Sequence, residues 1–117
     1  MPPYFVIEVR EYIDASGRGH FSRWRLKLDA SVRARIDQAV LRLGEGNLSA
    51  VKPEGEGVSA LRIDSGPGYR IYFGRDGDRL ILLLAGGTKR RQREDISLAR
   101  KLWTEYKVEK KEAKKCR

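Results

Sequence analysis

Cysteine and histidine are almost missing from this chain, with one of each in 117 residues. Cys116 is next to last, so no internal disulfide can form, and the chain reads as one made for a reducing cytoplasm. His20 is alone in the loop "DASGRGH". Without a Cys/His cluster or an acidic triad on one face, no metal site is expected, and no cofactor. Long apolar runs are missing too. None approaches the roughly 18 residues of a membrane span. "MPPYFVIEVREY" lacks the basic start, apolar segment and small-residue cleavage site of a secretory leader. Nor does any serine or cysteine nucleophile have a visible base partner.

Acidic residues are in deficit. Twenty-five Lys and Arg against sixteen Asp and Glu give a net charge of +9. The last eleven residues hold six basic and two acidic side chains, a net of +4, so more than half of the excess lies in the body. A balance this basic suits nucleic acid, an anionic membrane or an acidic protein as partner, or serves solubility alone. With 40% hydrophobic residues, the chain has enough apolar material for one core without staples.

Periodicity supplies the elements. "YFVIEV" after Pro2 and Pro3 reads as a first strand, extending toward Ile13. "FSRWRLKL" carries a short helical stripe of Phe21, Trp24 and Leu28. Val32, Ile36, Ala39, Val40 and Leu43 share one face of a second helix, started by Asp29 or Ser31 and ended by Gly44 or Gly46. "VKPEGEG" reads as a loop. "VSALRID", "YRIYFGRD" and "RLILLLA" then read as three strands, the last buried on both faces because it is continuously apolar. A final helix follows, capped by Thr88 and running from Lys89 past Val108, with Ile96, Ala99, Trp103 and Tyr106 on one side. The order β-α-α-β-β-β-α predicts an α+β domain over residues 1–106, with helices on one face of a mostly antiparallel sheet. A basic tail, 107–117, lacks an apolar stripe and reads as solvated.

The candidate site lies where "LLLAGG" gives way to "TKRRQ". Alternation along "GYRIYFG" sends Tyr69, Ile71 and Phe73 to the core, and places Arg70 and Tyr72 on an uncovered face. The next strand delivers Lys89, Arg90 and Arg91, and Gly86 and Gly87 are expected to turn the chain or admit a ligand. Arginines, a lysine and an aromatic on one patch have the make-up of a phosphate and base site. Cations at a helix start oppose its dipole, which favours a role beyond stability. Asp95 is the favourable charge there, and Arg100, farther along, is placed outside the patch.

"GVSALRIDSGPGYRIYFGRDGDRLILLLAGGTKRRQREDISLARKLW", with the helical pair before it, resembles the RelE/ParE superfamily of toxins of bacterial type II toxin–antitoxin modules. It is most similar to the addiction module killer, or HigB-like, branch. The resemblance implies a RelE-like fold, a helical hairpin on a twisted antiparallel sheet with a C-terminal helix. It implies a helix-turn-helix antitoxin as partner, and growth arrest by cutting mRNA on the ribosome. Arg70 matches the family arginine, and Lys89 and Arg90 match the basic pair after the last strand. Lys89, Gln92 and Asp95 match "K-x-x-Q-x-x-D", and Lys52 falls where the family carries basic residues. Ile96 stands where well-studied RelE-type nucleases have tyrosine.

The expected catalytic set is therefore Arg70, Lys89, Arg90 and Tyr72, with Lys52, Arg91 and Gln92 holding RNA. Metal-free cleavage needs a base for the 2′-hydroxyl, positive charge for the phosphate and an acid for the leaving oxygen. Arginine keeps its proton, so Arg70 and Arg90 are assigned charge and Lys89 the base. Tyr72 is assigned stacking on a base or proton donation. A ParE-like toxin inhibiting DNA gyrase and a non-catalytic RNA-binding module are the alternatives.

Overall fold

A strand made only of apolar residues has to be covered on both faces, and the chain is arranged around that demand. The computed structural model describes residues 7–115. In order they form β1 (Glu8–Glu11), α1 (His20–Leu26), α2 (Ala30–Gly44), β2 (Val51–Pro53), β3 (Val58–Ile63), β4 (Tyr69–Asp76), β5 (Leu80–Thr88), a 3-10 turn (Lys89–Arg91) and α3 (Gln92–Lys115). The start of the expected first strand, Tyr4 to Val6, and the end of the basic tail, Cys116 and Arg117, lie outside the described residues.

The five strands are ordered β1-β5-β4-β3-β2. Neighbours pair antiparallel except β1, which runs parallel to β5 with Val9 opposite Ile81. The sheet is therefore mixed. Two expectations change here. "VKPEGEG" is not all loop, because Val51 to Pro53 pair with β3 as an edge strand. An edge tolerates Pro53, whose missing N–H would break a central ladder. And the helices do not share one face.

Each face has its own core. On one side α1 and α2 bring Phe21, Ile36 and Leu43 against Leu61, Ile71, Phe73, Ile81 and Leu83. On the other α3 brings Ala99, Leu102 and Trp103 against Val58, Ala60, Tyr72, Leu82, Leu84 and Ala85. Ile81 to Ala85 are all buried, as the unbroken apolar run demands. Leu84 is an extra residue in β5. Tyr72 pairs with Ala85 and Phe73 with Leu83, so a bulge there leaves Leu84 and Ala85 both in the α3-side core.

A tryptophan presses on the sheet from each side, and each needs a glycine. A β-carbon on Gly86 would overlap the Trp24 ring of α1, and one on Gly74 would overlap the Trp103 ring of α3. Bare backbone lets both indoles lie flat on central strands. Thr88 ends β5 and caps nothing with its side chain, and α3 begins only at Gln92, after the 3-10 turn. The helix then crosses the expected 106/107 boundary without a break. Beyond it, Glu109 accepts a hydrogen bond from Tyr12 at 2.7 Å, and Lys110 reaches Asp76 at 2.6 Å. The first turn of the basic tail is thus tied to the body.

Gly86→Ala and Gly74→Ala should each lower stability by about 1–3 kcal/mol, the usual cost of overpacking, read from urea unfolding midpoints. Hydrogen bonds from Lys110 and Tyr106 hold the Asp76 carboxyl below its ordinary range. A carboxyl more acidic in the folded than the unfolded chain adds stability above pH ~4, which is lost as pH falls through the folded value. Asp76→Asn should therefore differ from wild type most at neutral pH, and the two thermal midpoints should converge below about pH 4.

Candidate functional site

Arg70 stands near the start of β4, opposite Arg62 on β3 and Gly87 on β5. Directly opposed residues share a face, so Arg62 and Arg70 both point to the α3 side. That side is not open at Arg70. The residue is 5% exposed, its Nη1 donates to the Tyr69 carbonyl at 3.0 Å, and Asp64 lies 3.7 Å away. Tyr72, two residues on, is fully buried in the α3-side core and its hydroxyl has no hydrogen-bond partner. The expectation of an uncovered face carrying Arg70 and Tyr72 is corrected: α3 is the missing layer, and no base can stack on the Tyr72 ring. Burial and the nearby Asp95 charge hold its hydroxyl well above the usual phenol range, with Arg70 opposing them.

Lys89 and Arg70 flank the same glycine, Gly68. The Lys89 N–H donates to the Gly68 carbonyl at 2.9 Å, which closes the β3–β4 turn onto the start of the 3-10 turn. Lys89 Cβ and Arg70 Nη1 stand 3.4 and 3.7 Å from where a Gly68 β-carbon would be. Gly68 has φ +75°, a left-handed backbone that suits glycine.

The 3-10 turn then divides its cations. Lys89 and Arg90 line a cavity of about 960 Å³ along the flank of α3, with Gln92, Arg93, Arg100 and Lys101. Five cations face Glu56 as the one acid of that lining. Arg100 is therefore part of the patch, contrary to expectation. It donates to the Glu54 carbonyl and its Nε lies 3.5 Å from Glu56. Glu56 itself sits at φ +56° between two left-handed glycines, so the loop is bent sharply over Arg100. Ile96 lines the cavity wall where the family tyrosine is expected.

Arg91 turns the other way. It lines a second cavity, of about 550 Å³, between α1 and the end of β5, and pairs with Glu94 at 3.2 Å. Lys52, on β2 opposite Ala60, is exposed and lines neither cavity. Of the expected RNA-holding residues, then, only Gln92 joins Lys89 and Arg90. Arg93 and Lys101 were not singled out from the sequence and Arg100 was set outside the patch, though their spacing puts all three on one flank of a helix.

Gly86 and Gly87 do not turn the chain, since both lie within β5. Gly86 seats Trp24, and Gly87 seats the Asp95 carboxylate, which a β-carbon there would displace. Asp95 is 9% exposed and its Oδ2 has no hydrogen-bond partner. Burial raises its pKa, with Arg91 opposing and Glu94 adding to the rise. Among the described residues no group of three or more His, Cys, Asp or Glu side chains is placed to hold a metal. His20 is occupied, its Nε2 lying 2.9 Å from Asp14.

An acid whose pKa is higher in the folded chain weakens the fold as pH rises from its unfolded value near 4 through the folded one. Asp95→Asn should therefore be more stable than wild type at neutral pH. The gain should vanish below about pH 4 in thermal unfolding followed across pH.

No family model matches the sequence. An uncharacterized protein of Haemophilus influenzae is 39% identical over 83 residues, a match that covers 70% of this chain and 84% of that protein. No helix of the described residues is long and apolar enough to cross a membrane. Identity at that level, over most of both chains, means that this α+β protein belongs to one family with the Haemophilus influenzae protein.

Proposed function

We propose that the chain is a RelE-like toxin of a type II toxin–antitoxin module, of the addiction module killer branch, that cuts mRNA on the ribosome. The observation that carries this reading is the cavity beside the 3-10 turn. There Lys89 and Arg90 converge with Arg93, Arg100 and Lys101, and the Arg70 guanidinium and Lys89 flank the same glycine, Gly68. Such a density of positive charge is costly unless an anion relieves it, and an RNA phosphate is that anion.

In this reading the 2′-hydroxyl attacks the adjacent phosphorus as Lys89 takes its proton. The P–O5′ bond then breaks, and the leaving 5′-oxygen takes a proton from solvent water, leaving a cyclic phosphate and a free 5′-hydroxyl. Arg90 and Arg93 meet the charge that grows on the phosphoryl oxygens. Arg70 is a positioning residue, since it is buried and its exposed neighbour Lys89 is the group a strand would touch. Tyr72 is given neither a stacking nor a proton-donating role, because its ring and hydroxyl are buried. A helix-turn-helix antitoxin is the proposed partner, and the cytoplasm the proposed compartment.

Expression of the chain alone should arrest bacterial growth, and ribosome-bound mRNA should show new 5′ ends by primer extension. Lys89→Ala and Arg90→Ala should each lower the cleavage rate ~100-fold, about 3 kcal/mol of lost transition-state contact, without moving the thermal midpoint. Arg70→Lys is the cleaner test of Arg70, because alanine there would leave a hole under the sheet. Full cleavage by both alanine variants would sink this assignment. Growth arrest without any RNA cutting would favour the gyrase-binding alternative.

A further inference from the structure

The second cavity is built from parts that the first does not use. Arg18 rims it from the loop before α1, Arg23 from α1 itself, Lys27 from just past its end, and Arg91 from the 3-10 turn. Arg18, Arg23 and Lys27 make no ion pair within 4 Å among the described residues, so three cations are open to a ligand. Trp24 forms an apolar wall, its ring resting on Gly86 and tilted against Phe21 and Tyr69. That packing fixes the indole in place before any ligand arrives.

Four cations alone would suit any anion, but the lining also contains Asp95. This carboxylate is more than nine-tenths buried and has an oxygen without a partner. A bare inorganic anion gains nothing from such a group and is repelled by it. A nucleotide meets the rim with its phosphate and the Trp24 wall with its base, and asks nothing of the acid, whose unpartnered oxygen is closed off against Gly87. The volume of about 550 Å³ lies within the range of small-ligand sites.

Lys89 and Arg90 face the first cavity and Arg91 the second, though the three are consecutive in one turn. A strand lying over that turn would reach toward both cavities. We infer that the Trp24 cleft is a second nucleotide-binding site, holding single-stranded RNA next to the segment bound along α3. This inference rests on the reading of the chain as an RNA-directed toxin, and it places part of the strand on the hairpin side of the sheet. A cationic groove with a fixed aromatic wall is the usual way to hold a single strand without reading its sequence.

The test is binding of a fluorescein-labelled RNA nonamer by anisotropy across a salt series, using the full chain, with thermal unfolding as a fold control. Arg23 and Lys27 are exposed, so Arg23→Ala/Lys27→Ala should fold as wild type. It should bind the nonamer at least 10-fold more weakly at low salt. The slope of log affinity against log salt should fall by about 1.4, the loss of two phosphate contacts on a single strand. Unchanged affinity and slope in a folded double variant would overturn the cleft. So would adenosine monophosphate binding as tightly as the nonamer, which would mark a free-nucleotide site. The Lys89→Ala/Arg90→Ala variant separates the two readings. If that variant and wild type both fail to cut mRNA or arrest growth while Arg23 and Lys27 still govern RNA binding, the toxin reading falls and the cleft stands.

Discussion

Ile81, Leu82, Leu83, Leu84 and Ala85 leave β5 with no side facing water, so the chain must supply one layer above it and another below. Burying five apolar side chains in one strand is worth several kcal/mol, and it is realised only when both layers are in place. The α1–α2 hairpin supplies one and α3 the other. The two indoles show how close the layers come. Trp24 and Trp103 each lie on a strand glycine, on opposite faces of the β4–β5 pair. With a side chain at either glycine, a helix would be held off the sheet and the core beneath it would open.

That two-sided arrangement also makes the charge pattern intelligible. Since α3 must return across the face opposite the hairpin, the chain has to leave β5 and change direction within a few residues. The 3-10 turn at Lys89 to Arg91 does this. A turn so tight throws consecutive side chains to different sides, and three adjacent cations end up serving two cavities. Their position ahead of a helix N-terminus is unfavourable to the dipole. Glu94 and Asp95 in the first turn of α3 offset part of it, Glu94 through its contact with Arg91. Asp95 gives up solvent to do so and is left with an unpartnered oxygen. The arrangement trades local stability for a concentrated positive field.

Much of the candidate site could be read directly, and the part that could not has a definite cause. Lys89, Arg90 and Gln92 sit in the lining because a basic run at the end of a buried strand has to emerge at the sheet margin. Arg70 was placed on the correct side of β4 by simple alternation, yet its exposure was misjudged. Period-2 alternation tells which side a residue takes and says nothing about what covers that side. Tyr72 was misread for the same reason. Arg100 was set outside the patch by its distance along the chain, but seven residues past Arg93 is the same flank of a helix.

Local pattern by itself determined the types of all the elements but β2, the two-sided burial of β5 and the core stripe of α2, because these follow from side-chain periodicity within one segment. The excess of positive charge and its main cluster were equally plain. Only the tertiary structure decided that α3 covers the second face, that β1 joins in parallel, and that Val51 to Pro53 pair as a strand. It also gave Gly86 and Gly87 their purpose. In sequence they look like a turn, and in the fold they are seats for Trp24 and Asp95, residues 62 and 8 positions away. A glycine's use depends on what approaches it, and contacts between segments distant along the chain are set by packing rather than by local preference.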